Sequence, residues 1–349
     1  MLKNMLHIAG LLVIGLLVIA CQHNPPTVAT QEGTFPEGMS AEDATSLRSL
    51  ERVDEYPLYT MNLSGDYQRS SNHPTGQLPV SQPENSSESI AAWGCSLFAA
   101  FADPKAMLYG RNFDWEYSPA LLLFARPATG YASVSMVDLA YLGFTQEQLA
   151  ALDETPLAER TALLQAPFLP FDGMNDQGLV IGMAAVSPGN VPDDPNKPTI
   201  GSLGIMRGIL DNAANVAEAL KIMQGYNIDF TGGPPVHYLI ADAGQHAALV
   251  EFSGGKMVVI ENEGNWHAAT NFLVSETGGN PAGLCNRYDL ITQHLSSAQS
   301  LTTQDALALL KSVSQSSTQW SMVYDYSQHT VQVAMGRDYN TVHTFSLDK

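Results

Sequence analysis

The residues best suited to chemistry are Cys95 and a polar cluster one apolar run later. Gly94-Cys95-Ser96-Leu97-Phe98 opens the run, Asp103-Pro104-Lys105 turns it, and Gly110-Arg111-Asn112-Phe113-Asp114-Trp115 closes it. A cut between Gly94 and Cys95 would make Cys95 an N-terminus carrying both a thiol and a free amine. A thiol ionises near about 8.5 and an α-amine near about 7.7–8.0, so the amine can take the thiol proton near neutral pH. That is a nucleophile with its base one residue away. Gly94 has no side chain to shield its carbonyl from the thiol. Arg111 is a permanent cation able to favour the thiolate, and Asp114 is placed to orient the amine. We therefore read the chain as cutting itself at the Gly94–Cys95 bond. These few residues alone would also suit a buried strand cysteine beside a surface ion pair.

A wider set of residues separates the two readings. Gly173-Met174-Asn175-Asp176-Gln177-Gly178-Leu179 follows, then Ala269-Thr270-Asn271-Phe272 and Asn286-Arg287-Tyr288. In type and order these resemble the N-terminal-nucleophile hydrolases, specifically the choloylglycine hydrolase and penicillin acylase/acyltransferase group of linear-amide hydrolases. The resemblance runs from about Tyr56 to near the C-terminus. It implies an Arg near the thiolate at Arg111 and an Asp bonded to the α-amine at Asp114. It implies amide donors to the tetrahedral oxyanion at Asn175 and Asn271, and an Arg supporting the nucleophile at Arg287. One departure stands out. The bile-salt members carry a long assembly insertion between the late Asn and the late Arg, whereas Asn271 and Arg287 are close in sequence. That argues against the bile-salt tetramer and a specific bile-salt substrate, and the short form is more similar to the acyltransferase and acid-ceramidase-like branches.

The elements that must position these residues follow from composition and pattern. A chain of 349 residues, 45% hydrophobic, can bury a large core. A net charge of −19 excludes the basic footprint of a nucleic-acid binder. Three cysteines (Cys21, Cys95 and Cys285) make no disulfide framework; Cys285 reads as a small buried hydrophobe. No metal-ligand spacing or phosphate-cradling loop is present, so neither a catalytic metal nor a cofactor is expected.

Residues 1–20 read as an export signal: Lys3 supplies the positive start and 11–20 are almost wholly apolar. The ending Leu17-Val18-Ile19-Ala20-Cys21 resembles a bacterial lipoprotein box, which implies cleavage before Cys21, lipidation of its thiol, and tethering to the cell envelope. A plain secretory signal or an uncleaved anchor is the alternative. Residues 22–37 form a polar tether. Ser40 can cap a short helix through Leu50, and 56–63 read as a strand expected to stay docked after cleavage. Residues 64–89 are a long polar loop.

From Cys95 onward, a hairpin is expected over 95–102 and 106–111, with further strands at 121–125 and 131–137. Helical spacing covers 139–152 and 157–164. Residues 178–186 are apolar and strand-like, and 187–198 form a loop. A helix pair over 205–210 and 216–223 starts its second member at Asn215. Strands at 236–241, 247–252, 256–260 and 266–270 follow, then helices at 287–295 and 304–313. Three strands, 320–326, 331–335 and 342–347, close the chain. This order suits two packed sheets with helices outside. The fold class is α+β, and the resemblance makes it a four-layer αββα sandwich with two antiparallel sheets. The chain divides into a lipoprotein signal (1–21), a tether and pro-segment (22–94), and a catalytic domain (95–349).

The expected activity is hydrolysis of a small linear amide through an acyl-Cys95 intermediate, with the acyl group in an apolar pocket including Phe113, Trp115, Tyr141 and Phe144. Acyl transfer to an amine uses the same nucleophile and stays open. A non-catalytic solute-binding lipoprotein shares the export route and acidic charge, but would need no Gly94–Cys95 cleavage.

Overall fold

The computed structural model describes residues 39–67, 94–187 and 191–347. The export signal, Cys21, the tether and most of the long polar loop ahead of Cys95 lie outside the described residues. So does the middle of the 187–198 loop's first half, 188–190.

The strands, in chain order, are β1 (Glu51–Asp54), β2 (Leu58–Gly65), β3 (Gly94–Ala100), β4 (Leu108–Asp114), β5 (Ala120–Pro127), β6 (Ser133–Asp138), β7 (Asp172–Asn175), β8 (Val180–Ala185) and β9 (Thr199–Gly201). They continue with β10 (Asn227–Asp229), β11 (Val236–Ala241), β12 (Ala247–Ser253), β13 (Lys256–Glu261), β14 (Trp266–Ala269), β15 (Thr318–Asp325), β16 (Thr330–Met335) and β17 (His343–Ser346). The α-helices are α1 (Ala41–Arg48), α2 (Gln146–Ala150), α3 (Ser202–Asn212), α4 (Val216–Gln224), α5 (Asn286–Ser297) and α6 (Thr303–Ser312).

Two sheets stack face to face. The larger has the order β1-β2-β5-β6-β7-β8-β11-β12-β13; the smaller is β14-β3-β4-β15-β16-β17. Helices α3 and α4 cover the outer side of the large sheet, while α5 and α6 cover the small one. The result is the expected αββα sandwich. One core fills the space between the sheets and under α3 and α4. A second, built on Phe98, Leu108, Ile291 and Leu310, glues α5 and α6 to the small sheet. β3 and β4 are thus covered on both faces, which explains why every one of their residues is buried, the polar Arg111, Asn112 and Asp114 of β4 included.

The sheets are antiparallel with one exception inside the large one: β2 runs parallel to β5 over eight registered pairs, from Leu58–Ala120 to Gly65–Pro127. β2 belongs to the segment before Cys95, so that segment supplies an interior strand of the sheet. It lies between β5 and β1, a short strand the sequence pattern did not suggest.

The largest departure from expectation is over 139–168. The spacing there predicts two helices, but the chain forms a 3-10 turn at Leu139–Leu142, the five-residue α2, and 3-10 segments at Leu157–Glu159 and Thr161–Phe168. Gly143 takes a left-handed φ of 77° and ends the first turn. Thr145 restarts the helix with a capping box, and Pro156 and Pro167 prevent a longer one. The caps read at Ser40 and Asn215 are present: each side chain accepts from a backbone N–H three residues on.

Candidate active site

The hairpin β3–β4 brings Cys95 and its partners together through its register. Gly94 pairs with Asp114, Cys95 with Phe113, and Leu97 with Arg111. The turn between the strands is the expected one, with Asp103 accepting from the Lys105 and Ala106 backbones. Gly110 sits opposite Phe98, whose ring fills the space a Cβ would need.

The backbone of Cys95 is held on both sides. Its N–H donates to Asn271 Oδ1 at 2.7 Å. Its carbonyl accepts from the Arg287 guanidinium, which also reaches Ser96 Oγ at 3.1 Å and Asn271 Oδ1 at 3.0 Å. Arg287 stands in the first turn of α5. Asn271 lies just past the end of β14, which pairs with β3. Its Nδ2 donates to Ala185 O at 2.8 Å, so two donors on its oxygen and one acceptor on its nitrogen fix the amide's orientation.

Arg111 is fully buried. It donates to Phe171 O and forms an ion pair with Asp172, which also accepts from Tyr324. Its guanidinium carbon stands 4.8 Å over the Phe113 ring. Nε and Nη2 are buried without a hydrogen-bond partner among the described residues, and the guanidinium adjoins the Cys95 thiol. Burial pushes that thiol up; the positive charge of Arg111 opposes the shift and the charge of Asp114 adds to it. Burial also raises the Asp114 carboxyl, against hydrogen bonds from Thr318 and Gln315. Gln315 Nε2 lies 2.8 Å from Asp114 Oδ2.

Beside the thiol is a small pocket. Cys95, Arg111 and Asp114 form its polar end, and Phe113, Trp115, Tyr141, Phe171, Met183 and Leu203 form its apolar walls. The lining is thus mostly apolar with a few convergent polar groups at one end, the usual make-up of a small-molecule site.

The family model for linear amide C-N hydrolases, choloylglycine hydrolase family, matches residues 95–274, more than half of the chain. The chain belongs to this family. It is therefore a hydrolase acting on C–N bonds in linear amides. A search of curated proteins returned no match. Among solved structures, penicillin V acylase from Agrobacterium tumefaciens aligns with a TM-score of 0.51 at 18% identity, over 73% of this chain and 87% of that one. A mutant of the conjugated bile acid hydrolase from Clostridium perfringens aligns at 0.53 and 16% identity, over 73% and 92%. These likenesses show the fold.

In this linear amide hydrolase, Cys95, Arg111, Asp114, Asn271 and Arg287 converge as the sequence suggests. Asn175 does not. It ends β7, with Nδ2 donating to Leu210 O and Ala213 O and Oδ1 accepting from the backbones of Gln177 and Leu179. Its amide is fully committed to tying β7 and its turn to α3, so it has no donor left for an oxyanion. The Asn271 oxygen accepts from Cys95 and Arg287, which leaves one N–H of its Nδ2 beyond the one given to Ala185 O. Phe144 packs against the core but is absent from the pocket lining, where Phe171 stands instead. Sequence reading missed Asp172, the counter-ion of Arg111, and Gln315 and Thr318, the partners of Asp114. Each is far away in sequence, with no local signal beyond its polar type in an apolar strand or turn.

Proposed function

We propose that the chain is a self-processing cysteine amidase that cleaves amides of apolar acids through an acyl-Cys95 intermediate. The observation that carries this is the clamp on Cys95. A single residue has its N–H on Asn271, its carbonyl on Arg287, its thiol against Arg111, and its preceding residue paired with Asp114. The family match also begins at Cys95.

In processing, the Cys95 thiolate attacks the Gly94 carbonyl carbon. The C–N bond breaks, the amine leaves with a proton, and Gly94 is held as a thioester. Water hydrolyses the thioester to a Gly94 carboxylate and a free thiol. In turnover, the Cys95 amine accepts the thiol proton as the sulfur attacks the substrate carbonyl, then passes that proton to the departing amine. Water frees the acid. Asp114 and the Asn271 oxygen are the acceptors that orient the new amine. Asn271 Nδ2 has a second N–H besides the one given to Ala185 O, and we assign it as a donor to the tetrahedral oxyanion, a contribution worth about 3–4 kcal/mol. The apolar walls select the acyl group.

The test is the mass and N-terminal sequence of the purified protein lacking residues 1–21, beside its Cys95→Ala variant. A fragment starting at Cys95 in the parent and an intact variant are expected. An intact, folded parent would overturn the reading. Lipidation of Cys21 and attachment to the bacterial envelope are proposed from the sequence alone. Labelling of the full chain with a fatty-acid analogue, lost in Cys21→Ala, would support it, and an unlabelled full chain would refute it.

A further inference from the structure

Two ionisable side chains are buried between the sheets, away from the thiol. His237 on β11 and Glu251 on β12 are both fully buried and stand one step beyond the registered pair Tyr238–Val250. Neither lines the pocket. Placing a carboxylate and an imidazole in an apolar core is costly, and a well-packed apolar pair often serves stability as well or better. Their contacts point to a different use.

His237 Nε2 lies 2.7 Å from Thr270 O, and Nδ1 lies 3.2 Å from Glu251 Oε1. A carbonyl only accepts, so Nε2 carries hydrogen and donates to it. Glu251 accepts from the backbone N–H of Val274 through Oε1 and of Ser275 through Oε2, both at 2.8 Å. Burial alone would raise the Glu251 carboxyl, but hydrogen bonds from His237 and Ser275 bring it below its ordinary value. The two side chains thus touch the same crossing segment at two points, Thr270 on one side and Val274–Ser275 on the other. Between those points is Asn271, whose amide holds the Cys95 N–H and receives Arg287.

We propose that His237 and Glu251 are a positioning pair that fixes the Thr270–Ser275 segment and so aims the Asn271 amide at the nucleophile. The pair acts through Asn271 and touches no substrate. The inference rests on the proposed self-processing, and that reaction provides its readout, because the Gly94–Cys95 bond is a substrate already in place. A misplacement of about 1 Å at a catalytic group can cost about 100-fold in rate.

The experiment follows the first-order cleavage of freshly made chain lacking residues 1–21, by mass, for wild type, His237→Leu and His237→Gln. Thermal melting is recorded alongside. His237→Leu is expected to fold and to cleave about 10- to 100-fold more slowly. His237→Gln, whose amide can still donate to Thr270 O, is expected to stay within about threefold of wild type. A folded His237→Leu that cleaves at the wild-type rate would overturn the pair, as would equal slowing of both variants at equal melting temperature. If His237→Leu does not fold, His237→Asn, polar but too short to reach Thr270 O, replaces it under the same two criteria. An uncleaved wild type would overturn the proposed function and this inference with it. A cleaved wild type with unaffected variants would overturn the pair alone.

Discussion

Gly94 and Asp114 face each other at the start of β3 and the end of β4, and a Cβ placed on Gly94 would lie 3.1 Å from Asp114 Oδ2 and collide with the Gln315 amide. The carboxylate proposed to orient the Cys95 amine thus stands beside the residue on the far side of the proposed cut. Gly94→Ala should dislodge Gln315 from Asp114 and slow cleavage by about tenfold, a loss on the order of one charged hydrogen bond. The double variant Gly94→Ala, Gln315→Ala restores the room but not the hydrogen bond, so it should cleave faster than Gly94→Ala and slower than wild type. The time course of the Cys95 fragment by mass reads both. A Gly94→Ala chain that cleaves like wild type would show that the close contact has no bearing on processing.

Arg111 opposes the upward push that burial gives the Cys95 thiol. Removing the cation should raise that thiol further, and the sign is fixed: the ionised fraction at a given pH falls. The pH profile of iodoacetamide alkylation should therefore move to higher pH in Arg111→Gln, and less so in Arg111→Lys, which keeps the charge but not the planar fork. Arg111→Gln also leaves Asp172 buried with Tyr324 as its remaining side-chain partner, so a destabilisation of about 3–5 kcal/mol is expected. Profiles that coincide after correction for the folded fraction would remove Arg111 from the thiol's environment.

Asn175→Ala separates what was legible in the sequence from what was not. The motif match at Asn175 implies an oxyanion donor. The structure gives it four hydrogen bonds, all to backbone. The substitution should cost about 2–4 kcal/mol of stability while activity per folded molecule stays close to wild type. A normal melting temperature with lost activity would reverse this assignment. Cys95, Arg111 and Asp114 were readable because one hairpin carries all three, so local spacing fixes their register. Asp172 and Gln315 reach the site from distant strands and turns, and the His237–Glu251 pair reaches the segment that carries Asn271; no local pattern records such long-range pairing. The helices expected over 139–152 and 157–164 do not form for a local reason: the left-handed Gly143 ends the first turn, and Pro156 and Pro167 bracket the second stretch as 3-10 segments, outweighing the apolar spacing.

Asp138 has a fixed pH signature of its own. It is buried; Oδ1 caps the Leu139–Leu142 turn through Ala140 N–H, and Oδ2 has no partner among the described residues. Burial raises its carboxyl to about 6, against about 3.9 in an unfolded chain. Between those values the folded state binds the extra proton, so stability falls as pH rises through this window. Asp138→Asn stays neutral throughout. It should be more stable than wild type by about 2–3 kcal/mol at pH 7, relative to its difference from wild type at pH 4. Chemical denaturation at the two pH values measures this, and a pH-independent difference would mean that Asp138 is ionised without penalty.

The segment before Cys95 should remain on the enzyme after cleavage. β2 is registered with β5 on one edge and β1 on the other. Leu58, Tyr59, Met61 and Leu63 are buried in the main core. Tyr56 adds a hydrogen bond of 2.7 Å to Gln319 from the other sheet. Burying these four side chains contributes about 1.5–3 kcal/mol each, together comparable with the ~8 kcal/mol of micromolar binding, and the main-chain pairing with β5 adds to it. Gel filtration of the processed protein should show both fragments in one peak, separating only in denaturant. Removing residues 39–67 from the expressed chain should expose the β5 edge and give insoluble protein. A processed enzyme that loses this fragment without losing solubility or activity would show that β2 serves folding alone.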